Sequence, residues 1–123
     1  MKGVKRIDAV FVPVTDIERS EKWYLEMFPF RVVFRSSDGI YVGFRFNDNE
    51  SESDLKTALT LHKVERMPER SHIPFNFYTE DVEGFHSYLA DKGIEVGQIH
   101  SAEGMRFFEF SDPDGNTMEA VTF

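Results

Sequence analysis

The chain has 123 residues and a mass of 14.3 kDa, room for one domain or two small half-domains sharing a core, which excludes two large domains. Its 14 basic and 22 acidic side chains leave a formal charge of −8, which repels phosphate backbones and anionic membranes and argues against nucleic acid or membrane partners. The absence of Cys excludes disulfides, thiolate zinc sites and thiol nucleophiles, so any metal would have to use His, Asp, Glu or water.

Taken in chain order, "IDAVFVPV" (7–14) reads as a strand with Val10, Val12 and Val14 on one face and Ala9, Phe11 and Pro13 on the other. No apolar run here or later approaches the ~18 residues of a membrane span, and the default location is cytoplasmic. The sequon-like Asn49-Glu50-Ser51 is accordingly read as unglycosylated. Asp16 is a good N-cap for the helix "IERSEKWYLEMF", whose stripe is Ile17, Ser20, Trp23, Tyr24 and Met27; Pro29 ends it. "FRVVFRS" and "IYVGFRF" flank Ser37-Asp38-Gly39 as a hairpin, "NDNESESD" is a polar loop, and "TALTLHKV" alternates as a strand.

The second half repeats the first. "PFNFYT" is a strand, Asp81 caps the helix "VEGFHSYLADKG" with stripe Val82, Phe85 and Leu89, and Gly93 ends it. "IEVGQI", "MRFFEF" and, after the tight turn Asp112-Pro113-Asp114-Gly115, "NTMEAVTF" supply three more strands. Asp81 minus Asp16 is 65, and the same offset pairs Ile17 with Val82, Val12 with Phe77 and Gly39 with Gly104. Two copies of one βαβββ unit are expected, related by pseudo-twofold symmetry. One α+β domain, 1–123, is read as module 5–64, linker 65–73 and module 74–123. The 13 Phe call for an aromatic core or an aromatic-lined cavity.

"VFVPVTDIERSEKWYLEMFPF" is similar to the opening pattern of the vicinal oxygen chelate superfamily, and "FFEFSDPDGNTMEAV" resembles its closing Asp-Pro-Asp-Gly-Asn-x-x-Glu signature. That group holds glyoxalase I, fosfomycin-resistance proteins, extradiol dioxygenases and bleomycin-binding proteins. The resemblance covers nearly the whole chain and implies that each module curls four strands into half of a barrel-like cup, helices outside, with ligand or metal held in the cup. It also implies a homodimer.

Family metal sites draw one residue from the first strand and one from the fourth strand of each module. The matching positions are Ala9, Pro74, Glu119 and, by strand parity, Leu59 or Leu61. Only Glu119 is a donor, while a stable divalent site wants at least three protein ligands, so no metal is expected. The fallback set for Zn, Ni, Mn or Fe is Glu119 with Asp8, His62 and His72; Asp8 and His62 have the wrong parity and His72 lies two residues early. The Asp112, Asp114, Asn116 spacing fails as a calcium loop, because Thr117 and Phe123 stand where Gly and Glu are required.

Parity places Phe11, Asn76 and Tyr78 with Glu119 on the cup face, as ligand contacts, and Val10, Val12, Val14, Phe75 and Phe77 beneath the helices. Trp23 reads as helix-to-sheet packing, and for Tyr24 core packing is taken over a reach toward the cup; Arg45 and Arg106 read as paired or solvated, His86 and His100 as surface residues. Nothing marks a nucleophile elbow or a phosphate-cradling loop. The expectation is a metal-independent protein, similar to bleomycin-binding proteins, that sequesters a planar or cationic small molecule. The competing readings are a divalent-metal glyoxalase-type lyase and an accessory module with a vestigial cup.

Overall fold

A computed structural model describes residues 3–47, 56–69 and 72–123, so the loop "NDNESESD" and the Asn49 sequon lie almost wholly outside the described residues. The chain divides into two compact units, Met1–Pro68 and Glu69–Phe123. In the first unit, β1 (Ala9–Val14) is followed by α1 (Ile17–Met27), β2 (Phe30–Arg35), β3 (Tyr41–Phe46) and β4 (Ala58–Lys63). In the second, β5 (Asn76–Tyr78) is followed by α2 (Val82–Asp91), β6 (His100–Ala102), β7 (Met105–Ser111) and β8 (Thr117–Thr122). The sheets have orders β1-β4-β3-β2 and β5-β8-β7-β6, the same arrangement twice, with the outer β1/β4 and β5/β8 pairs parallel and the others antiparallel.

Both helices start where the capping carboxylates dictate. Asp16 accepts the Arg19 N–H at 3.1 Å and Asp81 the Gly84 N–H at 2.9 Å, each satisfying a donor that the first turn leaves orphaned. On α1 the side chains of Ser20, Tyr24 and Met27 are buried, at the i, i+4, i+7 spacing of one helical face. The two aromatic residues of α1 both pack inward: Tyr24 is fully buried, while Trp23 is half-buried and packs edge-on against it at 4.9 Å. Tyr24 also stacks on Phe28 and Phe44, and Phe44 on Phe30, so half of this unit's six Phe go to its core, while Phe11 and Phe34 stay exposed. Under α2 the core is Val82, Leu89, Phe108, Phe110, Met118 and Ala120. Each fully buried ring is worth about 1.5–3 kcal/mol of transfer free energy, which makes these faces the anchors of both sheets.

The expected strand "IEVGQI" does not form. Only Val96 bridges, to Phe110, and the edge strand comes later, at His100–Ala102, joined to β7 by Glu103 and Gly104, both at positive φ (53° and 78°). That pair of left-handed residues closes a two-residue hairpin, a geometry Gly104 adopts without strain. β5 is likewise shorter than expected, with Pro74 and Phe75 outside it. Among the described residues no helix is long and apolar enough to cross a membrane.

Candidate functional site

One face of each sheet is covered by its helix; the other is helix-free, and strand register tells which side chains share it. In the second unit, Met118 and Ala120 of β8 are buried beneath α2, which turns Glu119 the other way. Its register partners are Asn76 on β5 and Glu109 on β7. Asn76 Nδ2 donates to Glu119 Oε1 at 3.2 Å and so fixes the carboxylate from one side, while Glu109 presents a second negative charge from the other. Tyr78 lies two residues along from Asn76 on the same face, 55% exposed, with its ring 5.1 Å from that of Phe123. Beside Glu109 the segment 95–97 runs along β7, Gly97 N–H donating to the Glu109 carbonyl at 2.8 Å. This leaves a cavity of about 280 Å³ lined by Glu95, Glu109, Ser111 and Thr117 among others. The surface is acidic and partly aromatic, suited to a cation or to a hydrogen-bond donor on a ring.

In the first unit Phe11 occupies the helix-free face of β1, 58% exposed, with Thr60 as its partner on β4. Its ring meets Tyr41 edge-on at 6.4 Å, and Tyr41 stacks on His62 at 4.7 Å and 12°. Here the parity expected for β4 is corrected. Leu59 and Leu61 pair with Val10 and Val12 and are buried on the helix-covered face, so Thr60 is the counterpart of Glu119, and His62 shares the face of Phe11. The physical reason is simple: in "ALTLHK" the two leucines take the buried side and the polar residues the other. Val12, Val14 and Phe77 pack beneath the helices as expected, whereas Val10 and Phe75 are half-buried.

A metal fits these residues poorly. Ala9 and Pro74 have no donor atom, and the leucines point into the core. Of the fallback set, Asp8 is bound by Arg6 at 2.7 Å and lies 3.7 Å from Arg45, His62 is stacked on Tyr41, Glu119 is held by Asn76, and His72 is exposed outside any strand. Among the described residues no group of three or more His, Cys, Asp and Glu stands together to hold a metal ion. Arg45 also donates to the Lys56 carbonyl and Arg106 pairs with Glu83, while half-buried His86 packs edge-on against Phe108 with Nε2 2.8 Å from the Gly97 carbonyl. Asp112 accepts the Asp114 and Asn116 N–H groups and the Asn116 side chain, a closed turn.

Sequence reasoning missed Glu109, Thr60 and Tyr41. Glu109 was within reach, because the turn 112–116 opposes Ser111 to Thr117 and, two pairs on, Glu109 to Glu119. Tyr41 needed the β3/β4 register, which the intervening loop does not determine.

The family model of the glyoxalase/bleomycin resistance protein/dioxygenase superfamily matches residues 6–120. No curated protein gives a significant match. Among solved structures, the chain is similar to TnmS3, an antibiotic binding protein from Streptomyces sp. CB03234, at 23% identity and a TM-score of 0.81, covering 99% of this chain and 98% of that one. It is similar to a glyoxalase/bleomycin resistance protein from the same Streptomyces strain at 26% identity and a TM-score of 0.70, covering 92% and 97%. It also resembles a lactoylglutathione lyase from Agrobacterium tumefaciens at 19% identity and a TM-score of 0.71, covering 97% and 94%. With the βαβββ unit used twice and the match spanning nearly the whole length, the chain belongs to the glyoxalase/bleomycin resistance protein/dioxygenase superfamily.

Proposed function

We propose that this chain is a cytoplasmic, metal-independent small-molecule binding protein that sequesters a planar or cationic compound against the helix-free faces of its sheets. The contact residues are Phe11 on the face of the first unit, and Asn76, Tyr78 and Glu119 on the face of the second. The observation that carries this reading is Glu119 itself, a carboxylate oriented by Asn76 at 3.2 Å, opposed by Glu109 and flanked by the exposed Tyr78–Phe123 ring pair. A carboxylate beside ring faces offers a cation both charge-assisted hydrogen bonds and cation–π attraction. Metal independence is supported by the missing donors at Ala9 and Pro74 and by Thr60 at the position matching Glu119. The likeness to an antibiotic binding protein supports a search among drug-sized ligands. A homodimer, as the family resemblance implies, belongs to the same proposal; sedimentation velocity checks it.

Calorimetric titration with Zn²⁺, Ni²⁺, Mn²⁺ and Fe²⁺ tests the metal half of the reading. No stoichiometric heat is expected with either the wild type or Glu119→Gln. Stoichiometric binding that disappears in Glu119→Gln would replace this reading with a metal-dependent, glyoxalase-type lyase.

A further inference from the structure

The helix-free faces of the two sheets differ in charge. In the second unit the register positions flanking the site are Glu109 and Glu119. In the first, Arg31 and Arg45 are register partners on β2 and β3, and Arg45 lies on the face of Tyr41, four residues along the same strand. Asp8, at the entrance to β1, is bound by Arg6 and approached by Arg45, so its charge is already matched. The Arg45 Nε donates to the Lys56 carbonyl, and a guanidinium has five N–H donors in all. Four strand residues span about 13 Å, enough for a fused two-ring system with its polar group at one end.

We propose that the helix-free face of the first unit is a site for a planar aromatic anion, its rings stacked on Phe11 and the Tyr41–His62 pair and its carboxylate directed to Arg45. The proposal rests on the reading above in taking these faces as ligand surfaces, and it adds a second ligand chemistry to one of them. Two ring contacts support it, Phe11 edge-on to Tyr41 at 6.4 Å and Tyr41 parallel to His62 at 4.7 Å. Edge-on and parallel neighbours form a surface on which a further aromatic ring can pack. The register positions across from His62 are Tyr41 on β3 and Pro13 on β1, neither of them a carboxylate; farther along that face stands Arg45, and Asp8 lies at the start of β1.

The test uses 2-naphthoate with the whole chain, wild type beside Arg45→Gln. Saturable binding is expected in the wild type, weakened roughly tenfold in Arg45→Gln. The neutral 2-naphthylmethanol should bind the wild type about tenfold more weakly than 2-naphthoate. Equal affinity for the two probes, or for the wild type and Arg45→Gln, would overturn the site. If the planar cation proflavine binds and 2-naphthoate does not, this inference fails and the proposed function stands; if neither binds, both fail.

Discussion

Glu109 and Glu119 stand directly across β7 and β8, and like charges in that position repel. The free protein therefore holds the pair at some cost to stability, which a bound cation would relieve. Glu109→Gln is therefore expected to raise the urea midpoint at unchanged slope, by roughly a few tenths of a kcal/mol. Asp38 works in the opposite sense. Its carboxylate accepts the Ser36 hydroxyl at 2.6 Å and the Ile40 N–H at 3.2 Å, and the Ser36 hydrogen bond, followed by the backbone one, holds it below the usual carboxylate range. A folded-state value below the unfolded one means stability that is present at neutral pH and lost as pH falls below about 4. Asp38→Ala should accordingly lose less stability than the wild type between pH 7 and pH 3, measured by urea denaturation. The side Glu119 takes was legible from parity because Met118 and Ala120 bracket it with apolar neighbours. Its partner Glu109 was legible only by counting back from the turn.

Among the elements, the helices were the most legible, since Asp16 and Asp81 announce their own N-caps and each apolar stripe has a helical period. At Gly84 cap and chain are tightly coupled: a Cβ there would lie 2.2 Å from the Asp81 carboxylate. Alanine normally improves on glycine in a helix by up to about 1 kcal/mol, and displacing the cap costs about as much, so Gly84→Ala in this first turn should leave thermal stability nearly unchanged. Strand β4 was less legible. A run of leucines alternating with Thr and His fits either face until something fixes which side is dry. Its resolved register predicts a sharp contrast: Leu61→Ala should cost about 2–5 kcal/mol by denaturant unfolding, and His62→Ala under ~1 kcal/mol. The segment 94–99 alternates like a strand yet forms a single bridge, Val96 to Phe110, while regular pairing on that edge of β7 is confined to His100–Ala102 opposite Met105–Phe107.

Across the whole molecule the duplication was the strongest signal, because an offset of 65 between two capping aspartates repeats strand, helix and turn together. Ligand chemistry was less legible, since it depends on which residues face each other across strands. The central claim is that a metal-free protein holds a planar cation at the carboxylate of Glu119. Calorimetric titration of chelator-treated protein with proflavine, wild type beside Glu119→Gln, tests it most directly. Saturable binding in the wild type, weakened about tenfold in Glu119→Gln, is the expected result. Binding that appears only after a divalent metal is restored, or that is equal in the two proteins, would contradict it.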